Sequence, residues 1–396
     1  MQLLYISNAC SEAMITKIFA NKPFGVFQQA QKYNLLLAEG FAANGQKVTM
    51  ISSRPINRSI DNRLLIKGEK DCANGVQFHY SSFVNYPGLR QLCIGFSAFW
   101  KVLTAKDRSS VVVCDGLNIA ASAGAMAAAF LRRFLTVGIV TDVPCFTTSN
   151  NDSLTHKLNL WLMRRFGSYL LLTEQMSAIV NSGNKPHIVL EGHADQKMAQ
   201  TDNTLSAKHP KKVCLYAGAL KEIYGVGHLI EGFIAADLAD AELHIYGDGD
   251  YVPKLQTVTE KNPNVKYMGV APNSDVVKAE LAATLLINPR PTHEEFTKYS
   301  FPSKNMEYMA SGTPVLTTRL PGMPEDHKPY VYFIEQEDAE GVKTALQTVL
   351  AQDRQTLHDF GAAAKKFILQ EKTHVSQAAK VLDFIKNKEM EQKSCD

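Results

Sequence analysis

The sequence predicts an α/β protein made of two doubly wound, Rossmann-like lobes that face a cleft. At 396 residues the chain is too long for one ordinary hydrophobic core and suits two domains of roughly 200 residues each. Short runs rich in Val, Ile and Leu alternate with helical patterns along the chain. Such alternation is typical of parallel strands that are covered by helices on both faces.

The first lobe is expected over residues 1–195. Its strands are predicted at residues 3–7, 47–53, 110–116, 136–142 and 169–174. An Ala-rich helix is predicted at 118–131, and this longest uncharged apolar run is shorter than the ~20 residues that a membrane-spanning helix needs. The first residues show no basic region ahead of an apolar core, so we expect no signal peptide.

A polar, weakly patterned segment at 196–212 is interpreted as the connection between the lobes. The second lobe is expected over residues 213–375. Its strands are predicted at residues 213–219, 242–248, 265–269, 284–289 and 313–318. Residues 376–396 are expected to form a terminal amphipathic helix, for which the first lobe is a candidate packing partner.

The net charge of +3 is too small to indicate nucleic acid as a partner. Residues 1–195 contain 19 Lys and Arg against 12 Asp and Glu, whereas the remainder contains 23 against 27. A basic first lobe is compatible with an anionic surface or substrate, and equally with scattered solvated charge. The seven cysteines form no C-x-x-C pair, as expected of reduced thiols in a cytoplasmic protein.

The segment YSFPSKNMEYMASGTPVL at 299–316 is the strongest candidate for a ligand site. Pro302 and Ser303 are suited to begin a helix. Lys304 and Glu307 lie three residues apart and therefore share a face near the positive end of that helix. This end could hold a diphosphate beside Lys304, with Glu307 accepting hydrogen bonds from a ribose. An ordinary surface helix with an i,i+3 ion pair explains the spacing at least as well.

This segment resembles the donor-binding motif of the family-4 retaining glycosyltransferases of the GT-B type, particularly the branch that builds bacterial surface polysaccharides. Other parts of the second lobe resemble the same family in the family's order: YAGALKEIYGVGHLIEGF (216–233), HIYGDGDYVPKLQ (244–256) and VKYMGVAPNSDV (265–276). In the first lobe, LLTEQM (171–176) and IVLEGHAD (188–195) are similar more loosely. The resemblance covers most of the chain.

The resemblance implies a donor-binding set in which glycines let the backbone approach the ligand. Its members are Gly25, Gly218, Tyr224, Gly247, Val270, Tyr299, Ser300, Ser303, Lys304 and Glu307. Lys304 is also expected to act in catalysis, by stabilising the charge of the leaving diphosphate. For Gly25, a plain turn glycine is an equally good explanation.

The chain departs from the family's pattern at three positions. The family usually has two glutamates eight residues apart; Glu307 matches the second, whereas Tyr299 stands in place of the first. The family often has Arg and Lys in the loop after the first donor-lobe strand, where this chain has Ala219 and Tyr224. Lys304 is therefore expected to carry the phosphate-binding charge.

Asp142 ends a predicted strand and is a candidate catalytic residue that orients the acceptor or assists as a base. A carboxylate that caps the turn before Pro144 explains it at least as well. Asp248 and Asp250 form a D-x-D, a pattern that holds a divalent cation in other sugar transferases. Here the pair lies in a glycine-rich loop and is interpreted as a turn, so no metal site is predicted.

Residues 89–106 are amphipathic with basic flanks and contain Phe96, Phe99 and Trp100. Such a helix could rest on an anionic membrane surface, which makes that surface a candidate partner. Aromatic helices of this kind belong more often to a core, so both interpretations stay open.

The sequence therefore predicts a retaining, hexosyltransferase-type enzyme with a nucleotide-diphosphate sugar, preferably a UDP-sugar, as donor. The acceptor is expected to be a glycan, preferably lipid-linked, in cell-surface polysaccharide synthesis, and no cofactor is expected. We expect a cytoplasmic location, with the inner face of the membrane as a candidate site of attachment. The alternatives are a nucleotide-sugar epimerase of the same fold and a non-catalytic homologue that acts as an assembly partner. A nicotinamide dehydrogenase is disfavoured because no G-x-G-x-x-G follows the first strand.

Overall fold

A computed structural model describes residues 1–20, 28–143 and 154–395. The chain divides into two compact units. Unit 1 comprises Met1–His193 and His374–Asp396, and unit 2 comprises Ala194–Thr373.

Strands and helices alternate along both units. The strands are β1 (Gln2–Ser7), β2 (Lys47–Ser52), β3 (Leu65–Ile66), β4 (Glu69–Ala73), β5 (Val76–Tyr80), β6 (Phe83–Val84), β7 (Val111–Asp115), β8 (Leu135–Val140), β9 (Ser168–Leu171), β10 (His187–Val189), β11 (Lys212–Ala217), β12 (Ala241–Tyr246), β13 (Val265–Gly269), β14 (Leu285–Asn288), β15 (Val315–Thr317) and β16 (Tyr332–Phe333). The described α-helices are α1 (Glu12–Phe19), α2 (Gln28–Ala43), α3 (Leu89–Leu103), α4 (Ile119–Arg132), α5 (Leu154–Met163), α6 (Gln175–Val180), α7 (Val226–Ala236), α8 (Val252–Lys261), α9 (Asn273–Ala282), α10 (Ser303–Ser311), α11 (Ala339–Leu350), α12 (Arg354–Glu371) and α13 (His374–Cys395).

Unit 1 is built on an eight-stranded sheet in the order β10-β9-β8-β7-β1-β2-β5-β4. Its neighbouring strands are parallel except β4 and β5. All five residues of β7 are buried, as expected of a central strand that helices cover on both faces. The strand order reverses between β1 and β7, and open α/β sheets bind ligands at the carboxyl ends of the strands at such a reversal.

The last helix, α13, belongs to unit 1 although it follows unit 2 in the chain. Four of its apolar side chains are buried in the unit 1 core: Ala378, Val381, Leu382 and Ile385. The helix lies close to α2, because a Cβ on Gly40 would be only 2.1 Å from the carbonyl oxygen of His374. The terminal helix thus completes the core of the first lobe.

Unit 2 is built on a six-stranded sheet in the order β13-β12-β11-β14-β15-β16, and every neighbouring pair is parallel. This is the strand order 3-2-1-4-5-6 of the Rossmann fold, with the reversal between β11 and β14. Side chains of β11 alternate between two cores: Cys214 and Tyr216 belong to one, Leu215 and Ala217 to the other. The sheet is therefore covered on both faces.

Each strand predicted for unit 2 is present, within a few residues of its expected bounds. Strand β16 was not predicted, since two residues carry no periodicity. Among the described residues, no helix combines the length and hydropathy needed to cross a bilayer.

Candidate active site

The carboxyl ends of β11 and β14 lie side by side where the strand order of unit 2 reverses. Gly218 directly follows β11, and Pro289 and Arg290 follow β14. On the other side of β11, Gly247 follows β12 and Val270 follows β13. Because all of these strands are parallel, the structure brings the predicted residues Gly218, Gly247 and Val270 to one edge of the sheet.

Glycines allow the first two loops of this edge to touch. Gly247 has a φ of 133°, and a Cβ on it would lie 1.8 Å from the carbonyl oxygen of Gly218. The amide of Gly218 donates to Tyr246 O at 2.9 Å, and the amide of Leu220 donates to Asp248 O at 2.9 Å. The two loops therefore present one continuous backbone surface to any ligand.

Helix α10 begins at this edge with Ser303, an exposed residue. Its N-cap residue, Pro302, makes no side-chain capping hydrogen bond, and the amide of Asn305 donates to Pro302 O at 3.0 Å. Asn305 anchors that turn: its Oδ1 accepts from Asn288 Nδ2 at 2.7 Å, and its Nδ2 donates to Thr317 Oγ1 at 3.4 Å. These buried bonds join the start of α10 to the ends of β14 and β15.

The side chain of Lys304 reaches the end of β11. A Cβ on Gly218 would be 2.7 Å from Lys304 Cε, so the lysine side chain lies directly against this glycine. Tyr308, one turn further along α10, fixes the helix on β11, because its hydroxyl accepts from Ala217 N at 2.9 Å. Glu307 is half-buried on the same helical face as Lys304.

Arg290 is a second cation at this edge, and it is absent from the predicted set. Its guanidinium carbon lies 4.9 Å from the ring centroid of Tyr224 and 5.6 Å from that of Phe296. Its Nη1 donates to Ser300 Oγ at 3.4 Å. Two predicted donor-binding residues, Tyr224 and Ser300, therefore contact the arginine. The signal was in the sequence, since Arg290 directly follows the predicted strand at 284–289.

The charges of Arg290 and Lys304 both lie close to Tyr216 and Gly218. Burial raises the pKa of Tyr216 well above its usual range, and the nearby charge of Arg290 lowers it in part. The hydroxyl of Tyr216 lies 2.9 Å from the Cβ position of Gly218 and donates to Ala219 O at 2.9 Å. Lys304 and Arg290 lie beside the N-terminus of α10 and next to the loop at Gly218, which has no side chain there to block a ligand. This arrangement is suited to bind a diphosphate.

The remaining predicted residues of unit 2 lie at the margin of this region. Tyr299 ends a short 3-10 turn, Glu295–Tyr299, and is half-buried. Val270 is 74% exposed at the end of the outermost strand. Asp248 stabilises its own turn, because its Oδ1 accepts from Gly249 N at 2.8 Å, which agrees with the interpretation of the D-x-D as a turn.

In unit 1, Asp142 follows β8 and is half-buried. Burial raises the pKa of Asp115, at the end of the adjacent strand β7, to about 6, and the charge of Asp142 contributes to that shift. Asp115 Oδ1 accepts from Leu117 N at 3.1 Å, and its Oδ2 accepts from Asn34 Nδ2 at 3.4 Å. Asp115 was not predicted, although it ends a strand at the reversal of strand order. Gly25 lies outside the described residues.

Comparison with known proteins supports a class for this fold and site. Residues 211–352 match the family model described as Glycosyl transferases group 1. Sucrose-phosphate synthase from Thermosynechococcus elongatus has a similar structure, with a TM-score of 0.68 at 14% identity over 98% of this chain and 99% of that chain. HepE of Anabaena in complex with UDP gives a TM-score of 0.64 at 14% identity over 98% and 100% of the two chains. The lipopolysaccharide outer core galactosyltransferase WaaB gives 0.63 at 15% identity, also over 98% and 100%.

At these identities the structural likeness concerns the fold, and it confirms the predicted GT-B class. The family match lies wholly within unit 2 and includes Gly218, Arg290, Lys304 and Glu307. Together the two findings support glycosyl transfer from a nucleotide sugar. No curated protein sequence gives a significant match.

Proposed function

We propose that the chain is a retaining glycosyltransferase, related to family 4, that transfers a sugar from a nucleotide-diphosphate donor to a glycan acceptor. The observation that carries this proposal is the convergence of Lys304 and Arg290 at the carboxyl ends of β11 and β14, beside the start of α10. Anions bind where amides of a helix N-terminus and cationic side chains meet. A diphosphate matches both the charge and the extent of this region.

In this proposal the donor lies across the edge of the unit 2 sheet. Gly218 and Gly247 leave room for the diphosphate, Glu307 accepts hydrogen bonds from the ribose, and Val270 lies beside the base. The preference for UDP is supported by HepE, whose structure is described as a complex with UDP. No metal and no cofactor take part, because Lys304 and Arg290 supply the positive charge.

The reaction breaks the bond between the anomeric carbon and a diphosphate oxygen, so negative charge develops on the leaving diphosphate. Lys304 and Arg290 are preorganised to stabilise that charge. The acceptor hydroxyl attacks from the face that the diphosphate leaves, which retains the configuration of the sugar, and its proton passes to the departing oxygen. Asp142 of unit 1 orients the acceptor hydroxyl.

The acceptor we propose is a lipid-linked glycan in the synthesis of a cell-surface polysaccharide, and the enzyme works in the cytoplasm. WaaB, described as a lipopolysaccharide outer core galactosyltransferase, supports this class of acceptor by its structural similarity. The five cysteines whose side chains are described are free thiols, which fits a reducing compartment.

Calorimetry with UDP tests the donor site directly. We expect the wild-type chain to bind UDP, and Lys304→Ala to weaken that binding by about tenfold or more through the loss of a charge-assisted contact. Lys278→Ala, an exposed lysine on α9 that pairs with Asp275 at 3.0 Å, is the matched control and should bind UDP as the wild type does. Equal affinity of the Lys304 and Lys278 variants would contradict the proposed site.

Product analysis tests the reaction. With donor and acceptor present, nuclear magnetic resonance of the product should show the anomeric configuration of the donor sugar. Epimerisation of the donor in the absence of any acceptor would instead establish the epimerase alternative.

A further inference from the structure

Helix α3 is apolar on two opposite sides. Ile94, Ala98 and Val102 are buried against the rest of unit 1. On the other side, four large apolar side chains are 49%, 71%, 68% and 55% exposed: Leu89, Leu92, Phe96 and Trp100. Their spacing of three and four residues places them in one stripe along the helix. A surface helix normally carries polar residues on that side, so packing among the residues that the structure describes does not explain the stripe.

The neighbouring helix α4 carries further exposed apolar side chains. The two helices run in the same direction in close contact, because a Cβ on Gly124 would lie 2.0 Å from Gly95 O and Arg132 donates to Leu103 O. Two residues at the end of α4 are 84% and 62% exposed: Phe130 and Leu131. We call the six residues Leu89, Leu92, Phe96, Trp100, Phe130 and Leu131 the α3 face.

Positive charge lies beside the α3 face, just after the carboxyl ends of α3 and α4. Residues 86–108 and 130–134 together contain six Lys and Arg and a single acidic residue, Asp107. Lys106, Arg108 and Arg133 are exposed. Aromatic side chains with a basic rim match the boundary between the headgroups and acyl chains of an anionic bilayer. A second copy of the chain fits less well, because its own α3 face would bring the same positive rim against this one.

We propose that the α3 face docks unit 1 on an anionic lipid bilayer. Helix α3 lies in the plane of the membrane surface, with its apolar stripe at the acyl boundary and its basic flanks on the lipid phosphates. This inference rests on the proposed function in one respect only: docking would bring a lipid-linked acceptor within reach of the enzyme. The surface itself is argued from unit 1 alone.

Vesicle flotation tests the proposal with the full chain. We expect binding to vesicles of phosphatidylcholine mixed with phosphatidylglycerol, weakened by added salt because the basic rim is solvent-exposed. Phe96→Ser combined with Trp100→Ser should lower the partition coefficient by about tenfold or more, since two aromatic rings lose their burial in the membrane. Lys106→Glu combined with Arg108→Glu should remove the preference for phosphatidylglycerol.

The control is Ile234→Ser, which removes an apolar side chain that is 38% exposed on α7 of unit 2 and should leave vesicle binding unchanged. Limited proteolysis of every variant checks the fold of unit 1, and UDP calorimetry tests the proposed function separately. If the wild type binds vesicles through the α3 face but does not bind UDP, the proposed function fails and the docking stands.

Unchanged vesicle binding by the double serine variant overturns the docking, as does equal binding to pure phosphatidylcholine. A dimer that sediments in the ultracentrifuge and is lost in that variant would assign the α3 face to a second copy instead.

Discussion

Arg290 shows how one side chain is held in place by its surroundings. Its guanidinium contacts the rings of Tyr224 and Phe296 as well as Ser300, which restricts its position before any ligand arrives. We expect Arg290→Gln to weaken UDP binding by about tenfold or more, because a charge-assisted hydrogen bond contributes roughly 1.5–3 kcal/mol. Arg290→Lys should recover part of this loss, since it keeps the charge but not the planar contact with the rings. Calorimetry measures both.

Arg354→Gln is the matched control for this experiment. Arg354 donates to the carbonyl oxygens of His209 and Pro210, which precede β11 and so lie at the opposite end of that strand. Its loss should leave UDP affinity unchanged even where it lowers the melting temperature. A similar loss of affinity in the two glutamine variants would mean that Arg290 acts through stability alone.

Asp115 gives unit 1 a pH dependence that can be measured. Its pKa of about 6 lies above the value of roughly 3.9 for an unfolded chain. Between these values the folded state keeps a proton that the unfolded state has lost, so stability falls as the pH rises from about 4 to 6. The contribution is of the order of 3 kcal/mol. Asp115→Asn should therefore raise the melting temperature relative to wild type more at pH 7 than at pH 5.

The control for Asp115 is Asp107→Asn. Asp107 is exposed at the surface turn before β7, and the amide and hydroxyl of Ser109 lower its pKa. This carboxylate is already ionised in both states at pH 5 to 7, so its substitution should shift the melting temperature equally at those two pH values. If the difference in melting temperature between Asp115→Asn and wild type is also independent of pH, Asp115 does not titrate in this range.

Neither Arg290 nor Asp115 was predicted, and the reason is physical. Each follows or ends a strand that the sequence does predict, so their local setting was visible. Their importance depends on which strands are neighbours at a reversal of strand order, and that is decided by packing between distant segments. That Lys304 and Glu307 share one helical face could be predicted, because helix geometry alone determines it.

At the scale of elements, the loops after β11 and β12 depend on a glycine that no other residue can replace. Gly247 combines a φ of 133° with a carbonyl oxygen 1.8 Å from its Cβ position. Gly247→Ala should push the loop that contains Gly218 away from β12 and weaken UDP binding together with stability.

Gly269→Ala is the control for this loop. Gly269 also has a positive φ, of 71°, but no atom lies within 4 Å of its Cβ position. It therefore tests backbone strain without a steric clash. If both alanine variants weaken UDP binding to the same extent, the contact between the two loops has no part in the site.

Helices α10 and α3 show what a local pattern can and cannot predict. The start of α10 was predicted from Pro302 and Ser303, and in the structure Gly312 ends the helix with a φ of 81°. For α3 the sequence predicts a helix, but apolar residues occur on both of its sides. Which side faces the sheet is decided by contacts such as that of Gly95 with Gly124, which no periodicity reveals.

At the scale of the whole molecule, the positive charge around Gly218 predicts transfer that does not need a metal. In the proposed site, Lys304 and Arg290 would neutralise the diphosphate in place of a divalent cation. We expect EDTA to change the transferase rate by less than about twofold, because no step then requires a metal ion. A large loss that Mg²⁺ restores would contradict this and would direct attention to Asp248 and Asp250.

At the scale of the whole molecule, helix α13 follows unit 2 in the chain but packs in unit 1. Unit 1 therefore depends on a helix from the far end of the chain, whereas unit 2 does not. Val381, Leu382 and Ile385 are 1–3% exposed in the unit 1 core. Burying three such side chains contributes roughly 5–9 kcal/mol, which is comparable to the total stability of about 5–15 kcal/mol of a typical domain. Unit 1 should therefore not stay folded without this helix.

A chain that ends at Thr373 lacks α13 and shows separately whether unit 1 and unit 2 stay folded without it. We expect its residues 1–193 to be digested rapidly in limited proteolysis, while unit 2 resists and still binds UDP. The donor-site residues described between Gly218 and Glu307 all lie in Ala194–Thr373, so that binding does not require α13. A chain that ends at Asn387 keeps the buried part of the helix and is the matched control, which should resist proteolysis as the full chain does. Loss of UDP binding on truncation at Thr373 alone would show that the donor site depends on unit 1, and the assignment of the diphosphate to the edge of the unit 2 sheet would have to be revised.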